Sequence, residues 1–474
     1  MAEPFPSIAG ASLTELIEQL THYALSNGLL IYPPGFEAYQ PTVAPVTLYP
    51  TPLPRSEFNK GVAISTKFNE LYSNVVVEKS WLIEVIDELS KFDRDFTGKL
   101  YETYLEAESS IVQPVSLGLF RSDYMLDTVS GNIKQVEFNT VSVSFGGLSP
   151  KVGNLHSFLN NQGLYGKPKY YKEEDLPVSY STAGLANGLY EAAKYYDTTE
   201  RASDTIVLFV VQPGERNVFD QRAVEYSLAE KGVKSKRVDF TKVVTSVKVD
   251  QSTNKVYYGN EEVSVVYYRC GYAPSEYTGP ETWEARLLLE KTKAVKCPSL
   301  LVQLSGVKKV QQLLTNNSIL SKYLENNDEL SSTFVKIYPL DDTEEGLLGK
   351  KLAFEQPERF VLKPQREGGG NNIYKEDIPS FLESIEAKDW GAYILMELII
   401  PPIHENKILR NGDVLSEGVV SELGIFGTIL FNEKSGSIIH NEESGYLLRS
   451  KTSSSNEGGV AAGFGCVDSL YLYE

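Results

Sequence analysis

Hydrophobic positions in residues 13–31 (LTELIEQLTHYALSNGLLI) recur at helical spacing until Pro33, Pro34 and Gly35 interrupt them, which predicts a long helix running into a loop. After a proline-rich connector at 41–54, the stretch 67–107 places Leu71, Trp81, Ile83, Ile86 and Leu89 on or near one stripe, so the first third reads as α-rich. The period then changes. Residues 133–139 (IKQVEFN) alternate, predicting a strand with Ile133, Gln135, Glu137 and Asn139 on one face and Val136 and Phe138 on the other. It ends at a Ser/Gly-rich loop, Ser142 to Ser149. At 205–240 an apolar β-branched run (Ile206 to Val211), a Pro-Gly break, an amphipathic stretch over 217–230, Gly232 as helix stop and a further strand form one βαβ unit. Strands at 255–258 and 263–268 and a helix near 280–291 extend it, so 205–303 reads as an inserted α/β domain. Beyond it lie a helix near 307–324, a strand at 359–363 that runs into EGGGNN, and strands at 392–398, 419–431 and 446–451. Residues 450–459 (SKTSSSNEGG) read as a loop, and no internal repeat is present.

Length and charge narrow this picture. The 474 residues are about three times the ~150-residue domain prior, predicting two or three packed units of α/β (α+β) class. Lys+Arg number 45 and Asp+Glu 63, a net charge of −18, which argues against nucleic acid or an anionic membrane as partner and requires any phosphate ligand to find a locally basic site. No stretch approaches the ~20 apolar residues of a membrane span, and MAEPFPSIAG lacks the basic and apolar regions of an export signal, so a cytoplasmic location is expected. Cys270, Cys297 and Cys466 are too few and too widely spaced for a disulfide framework or structural zinc.

Gly368, Gly369 and Gly370, followed by Asn371 and Asn372, come directly after a strand bearing Lys363, Gln365, Arg366 and Glu367. Successive glycines let backbone N–H groups approach phosphate oxygens, Lys363 adds a point charge and Glu367 a metal ligand; a plain hairpin turn would need none of these. Neither a P-loop nor a dinucleotide fingerprint occurs. Glu137 and Asn139 offer two oxygens on one strand face, suited to Mg²⁺ only if a carboxylate such as Glu367 joins them; otherwise the face is simply solvated. Arg121 and Arg269 can each grip a carboxylate or form a structural salt bridge. Arg449 and Lys451, two apart on a strand, point the same way. The four histidines stand in no triad or ligand spacing, so Cys270 is not read as a nucleophile, and catalysis by metal and basic groups is favoured.

LGLFRSDYM (117–125), QVEFNTVSVSFGGL (135–148), ERNVFDQRAVE (215–225), VVYYRCGY (265–272), QLSGVKKVQQ (303–312), FVLKPQREGGGNN (360–372), SELGIFG (421–427) and GGVAAGFG (458–465) together resemble the eukaryotic-type glutathione synthetases, a family of ATP-grasp ligases. The resemblance implies ATP-dependent joining of γ-glutamylcysteine to glycine through an acyl phosphate on the cysteinyl carboxylate. It implies that Glu137, Asn139 and Glu367 hold two Mg²⁺ ions. ATP would be bound by Glu137, Lys308, Lys363, Glu367, Gly368, Gly369, Gly370, Asn371, Asn372 and Tyr374. Met396, Glu397, Leu398, Ile399 and Glu422 would line its adenine and ribose, with Lys451 and Glu457 completing the site. The dipeptide contacts implied are Arg121, Val141, Ser142, Val143, Ser144, Glu215, Arg216, Asn217, Gln221, Arg269 and Tyr272; Arg449, Val460 and Ala461 belong to the glycine end. Arg121, Glu137 and Arg449 carry the catalytic roles. Leu398 stands where relatives can carry Lys, and Glu457 where Asp is expected. The implied fold is an ATP-grasp core over 1–204 and 304–474, a three-layer α/β substrate domain over 205–303 and a lid over about 335–420, in a homodimer. A ligase using β-alanine or another amine is the near alternative, against which Ala461-Ala462 resembles the glycine-using form. A catalytically inactive nucleotide-binding scaffold is the distant one, against which every metal ligand and phosphate lysine is retained.

Overall fold

The strand Val115–Leu126 is the hub of the molecule because its two faces feed two different cores. The computed structural model describes residues 4–167, 169–365, 371–455, 459–460 and 463–474. In that hub strand Val115, Leu117 and Leu119 pack into one apolar cluster, with Leu16, Leu20, Val152, Leu155, Leu185 and Leu189 from the helices Gly10–Ser26, Ser149–Asn161 and Ser181–Glu200. Phe120 and Tyr124 pack into the other, against the helices Arg55–Val77, Lys79–Ser90 and Lys99–Glu108. One edge of the hub pairs antiparallel with Val419–Asn432. On the other edge Val295–Cys297 runs parallel to its beginning and Ile133–Asn139 antiparallel to its end.

Two kinds of sheet therefore meet at one strand. Through Val295–Cys297 the sheet continues into the parallel strands Glu261–Tyr268, Ile206–Val211 and Lys234–Asp239. Helices cover both its faces, which is why Ile206–Val211 is buried at every residue and apolar throughout. Through Val419–Asn432 it continues antiparallel into Ile438–Thr452 and Gly465–Asp468. A separate four-stranded antiparallel sheet is built from Ile337–Pro339, Tyr393–Glu397, Phe360–Pro364 and Ile373–Tyr374. One of its faces is covered by the helices Glu344–Glu355 and Asp377–Ser384, which bury Phe360, Leu362, Leu382 and Leu395. Its other face presents Ile337, Val361, Ile394 and Met396.

Several sequence expectations shift. The helix expected over 13–31 stops at Ser26, because Gly28 takes a left-handed conformation (φ +68°) and Leu29 N–H closes back on the Ala24 carbonyl at 2.9 Å. Leu30–Ile31 then pairs as a short strand with Thr42–Val43. The helix expected over 307–324 is two, Lys308–Leu314 and Asn317–Tyr323, since Asn316 caps the second by accepting from Ser318 N–H at 3.0 Å. The stretch at 450–459 begins as strand, with Ile438–Thr452 running through Thr452.

The strand Ile133–Asn139 has the expected bounds but not the expected alternation. Asp123 pairs with Glu137 and Tyr124 with Gln135, so Val136 is an extra residue, a β-bulge. Ile133 and Gln135 thereby move to the Phe138 side: Ile133 and Phe138 share a core cluster, and Gln135 Nε2 donates to Ser122 Oγ at 2.9 Å. Glu137 and Asn139 are left together on the opposite face.

Candidate ligand cleft

That face of the sheet collects charge in registered pairs. Arg121 lies opposite Asn139, Asp123 opposite Glu137, and Glu422 opposite Arg449. Asp123, with no exposed surface, organises them. It accepts Arg121 Nε at 2.6 Å and Nη2 at 2.7 Å, Asn139 Nδ2 at 3.0 Å and Arg449 Nη2 at 3.1 Å. No role falls to Asp123 from the sequence alone; its only mark there is the Arg-x-Asp spacing on a strand, which puts both side chains on one face. Gly424 makes room for this pair, since a Cβ there would stand 2.7 Å from Arg121 Cδ and 2.8 Å from Asp123 Oδ1. Arg449 also pairs closely with Glu422. Burial pushes the Glu422 carboxyl up, and Arg449 opposes the shift. For Arg449 burial acts to lower the guanidinium, but Glu422 and Asp123 outweigh it and raise it.

Beside this group lie two buried lysines. Lys308, at the start of Lys308–Leu314, donates to Glu137 Oε2 at 2.8 Å. Lys363, on Phe360–Pro364, donates to the carbonyl of Val136 at 3.1 Å, the acceptor that the bulge leaves outside the ladder. Burial works to raise the Glu137 carboxyl, but Lys308 and Lys363 outweigh it and hold it well below the usual carboxylate range. Burial brings Lys363 down to about 8, against the pull of Glu137. The Asn139 amide is oriented by its Nδ2 bonds to Asp123 and the Arg121 carbonyl, which leaves Oδ1 as the group turned away from them. Oxygens of Glu137 and Asn139 on adjacent positions suit a hard divalent cation that shares phosphate oxygens. Of the residues expected here, Glu367, Gly368, Gly369, Gly370 and Glu457, with Ala461 from the glycine end, lie outside the described residues. Asn371 is exposed, and Asn372 Nδ2 donates to Tyr374 OH at 3.3 Å. Lys451 is registered opposite Val420, two residues along from Arg449. The second apolar face of the four-stranded sheet completes this half, with Ile337, Val361, Ile394 and Met396 buried and Tyr374, Leu398 and Ile399 at its margin. Leu398 N–H is committed to the Arg359 carbonyl at 2.8 Å, and the Glu397 carboxylate to Arg359 at 3.3 Å.

The other half is built at the C-terminal ends of the parallel strands, where open α/β sheets bind ligands. Arg269 Nη1 donates to the Val143 carbonyl and, at 3.2 Å, to Tyr267 OH, while Nη2 donates to Ser144 Oγ at 2.8 Å. Asp220 anchors the loop beneath, accepting Phe145 N–H at 2.8 Å and Gly147 N–H at 2.6 Å. It holds Ser142 and Phe145 at positive φ (52° and 69°), and Val141 and Val143 are buried. Glu215 Oε2 accepts Gln221 Nε2 at 2.6 Å, and its Oε1 accepts Asn217 N–H at 2.7 Å. Arg237, also unforeseen, fixes the Gln221 amide through Oε1 at 2.7 Å. Arg216 Nε donates to the Tyr32 carbonyl at 2.9 Å. The polar atoms of this half that are buried without a hydrogen-bond partner among the described residues include Asn217 Oδ1 and Arg269 Nε. A buried acceptor and a buried donor left open are costly unless a ligand fills them. Ser144 joins the halves, since its carbonyl accepts Arg121 Nη1 at 3.5 Å and its hydroxyl accepts Arg269. Val460 is buried, and Tyr272 lies on the turn after Arg269.

Comparison with known proteins bears on what such a cleft serves. The family model described as "Eukaryotic glutathione synthase, ATP binding domain" matches residues 10–472. The glutathione synthetase large chain of Schizosaccharomyces pombe is 42% identical over 461 residues, covering 91% of this chain and 92% of that protein. The glutathione synthetases of Mus musculus and Homo sapiens are 37% and 36% identical, each covering 97% of both chains. Among solved structures, a glutathione synthetase-like effector from Globodera pallida superimposes with a TM-score of 0.78 at 23% identity over 98% of both chains, a likeness of fold.

Proposed function

The chain belongs to the eukaryotic glutathione synthase family, and from that premise we propose that its cleft ligates γ-glutamylcysteine to glycine with cleavage of ATP to ADP and phosphate. The observation that carries the reading is the run of contacts from Lys363 on the Val136 carbonyl and Lys308 on Glu137, across Glu137's register partner Asp123, to Arg121, Ser144 and Arg269. Two buried lysines and two arginines are thereby gathered over one sheet face, which supports a phosphate site beside a carboxylate site.

In this reading Asn217 Oδ1 and Arg269 Nε receive the dipeptide, an acceptor for its ammonium and a donor for a carboxylate. Lys308 and Lys363 take the ATP phosphates, and adenine lies against Ile337, Val361, Ile394 and Met396. The cysteinyl carboxylate oxygen attacks the γ-phosphorus as the bond to ADP breaks. The glycine amine then attacks the acyl carbon and phosphate leaves. Arg121 and Arg449 are held in place by Asp123 to offset negative charge as it develops. Glu137 and Asn139, with Glu367, would hold Mg²⁺, which when bound neutralises charge on the phosphate oxygens. The four-stranded sheet acts as a lid over 335–420, excluding water that would hydrolyse the acyl phosphate. The segment 205–303 acts as the substrate domain on a grasp core of 1–204 and 304–474, and the functional unit is a homodimer.

No helix among the described residues is long and apolar enough to cross a membrane. All three cysteines are free and buried, which supports a reducing, cytoplasmic setting; two related plant enzymes are named chloroplastic.

The test is coupled ADP release. Turnover should require γ-glutamylcysteine and glycine together, and an amine panel should rank glycine above β-alanine. Glu137→Gln should reduce kcat by ~100-fold or more, because charge compensation at the phosphates is lost. Turnover without glycine, or a near-normal Glu137→Gln enzyme, would count against the reading.

A further inference from the structure

The turn from Arg269 to Ala273 is shaped by a carboxylate outside every residue set assigned above. Glu276 sits on the short 3₁₀ turn Pro274–Glu276 and reaches back, so that its Oε2 accepts three successive backbone N–H groups: Gly271 at 3.1 Å, Tyr272 at 3.0 Å and Ala273 at 3.0 Å. Three consecutive N–H groups converging on one oxygen form an anion-binding nest, here filled by the chain's own side chain. The nest exists because Gly271 adopts φ +83°, a conformation that glycine accepts without strain. The Gly271 carbonyl is fixed in turn by Gln303 Nε2 at 2.7 Å and Tyr277 OH at 3.3 Å. The second carboxyl oxygen, Glu276 Oε1, is buried with no hydrogen-bond partner among the described residues. Burial pushes the carboxyl up to about 7, the three N–H groups oppose the shift, and the Glu215 carboxylate adds to it. A buried, partly unsatisfied acid is an expensive way to close a surface turn, and it earns its place only if the shape of that turn matters.

We propose that Glu276 is a positioning residue for the dipeptide: by gathering the three amides it fixes the backbone that sets the approach of the Arg269 guanidinium and the Tyr272 ring to γ-glutamylcysteine. This rests on the dipeptide assignment made under the proposed function. Glutamine carries the same reach and an acceptor oxygen, so it can hold the nest, whereas alanine cannot.

The experiment measures kcat and a KM for each substrate on the full-length protein and on Glu276→Ala, Glu276→Gln and Arg269→Ala. Glu276→Ala should raise the KM for γ-glutamylcysteine about tenfold or more, as loss of charge-assisted hydrogen bonds requires. The KM values for ATP and glycine should stay within about twofold, and Glu276→Gln should recover most of the wild-type value. A residue that only stabilised the fold would lower the amount of active enzyme without singling out one KM. Should Glu276→Ala not fold, Glu276→Asp, one methylene too short to reach all three N–H groups, is read the same way. If Arg269→Ala weakens the dipeptide while the Glu276 variants leave its KM unchanged, or raise all three KM values alike, the inference is overturned and the dipeptide assignment stands. If Arg269→Ala leaves the dipeptide KM unchanged, the assignment of this turn fails, and the role of Glu276 with it.

Discussion

Asp123→Asn isolates the residue on which the charge cluster depends. The wild-type carboxylate has no exposed surface and takes four side-chain hydrogen bonds of 2.6–3.1 Å from Arg121, Asn139 and Arg449. Asparagine keeps the shape and, with its oxygen at the Oδ2 position, retains the three bonds made there, but turns an N–H₂ toward Arg121 Nε. More important, the buried Arg121 guanidinium and the half-buried one of Arg449 lose their shared counter-charge. Removing one partner of a buried pair costs ~3–5 kcal/mol. At ~2.1 cal/mol/K per residue the unfolding entropy of 474 residues is about 1 kcal/mol/K, so melting should fall by ~3–5 °C. Ligase turnover should fall by ~100-fold or more, since Arg121 and Arg449 are no longer held where charge develops. Differential scanning calorimetry and ADP release read the two effects. Glu422→Gln is the internal contrast: burial already raises that carboxyl, so neutralising it follows a direction the site partly favours and should cost clearly less stability. An Asp123→Asn protein that melts within a degree of wild type, or is hurt less than Glu422→Gln, would refute this account of the cluster.

Two further outcomes follow from positions away from the charge cluster. A Cβ at Gly147 would stand 2.1 Å from the Asp220 carbonyl oxygen and 2.9 Å from Ala223 Cβ, so Gly147→Ala must displace the helix Val218–Glu230. It should cost ~1–3 kcal/mol and raise the dipeptide KM; a wild-type melting temperature and dipeptide KM together would contradict the close approach. Asp468, buried under hydroxyls of Thr47, Thr51 and Ser450, is pushed up by burial to about 6 from 3.8. The folded state then holds the extra proton between those values, so this contribution to stability is full below pH ~4 and lost as pH rises through 6, by about 3 kcal/mol. Asp468→Asn cannot ionise, so its stability relative to wild type should rise between pH 4 and 7 in urea titrations; a pH-independent difference would disprove the linkage.

The parts of the fold visible in one sequence were those whose signal is periodic or chemically marked. Ile206–Val211 announced a strand buried on both faces because it contains no polar residue, and Ile133–Asn139 showed its bounds by alternation. The bulge at Val136 was hidden, since one extra residue leaves each half of the strand alternating and only the pairing partner reveals the slip. Strands such as Val46–Thr47 and Thr51–Pro54, inside the stretch read as a connector, are too short to carry a period. Lys363 ahead of a glycine run and the Glu137–Asn139 pair suggested phosphate chemistry in the sequence, and the structure brings Lys308, Lys363, Glu137 and Asn139 together. Asp123, Asp220 and Arg237 were not legible, because a buried acid that orients an arginine and a surface acid look alike until partners from distant segments are brought beside them. Of the two readings left open for Arg121, the structural ion pair is present, with Asp123; the grip on a ligand carboxylate belongs to the proposed function.

The bulge also divides Ile133–Asn139 into two units of heredity. Ile133 and Gln135 answer to the core and Glu137 and Asn139 to the cleft, with Val136 the extra residue between the two pairs. Deleting Val136 would set Gln135 directly beside Glu137 in a regular strand, with Ile133 and Gln135 still on the core side and Glu137 and Asn139 still on the cleft side, but would remove the carbonyl that Lys363 reaches from the other sheet. The extra residue therefore serves the cleft rather than the facing of the strand, so a one-residue deletion at 136 should leave the core side intact while releasing Lys363 from its backbone acceptor.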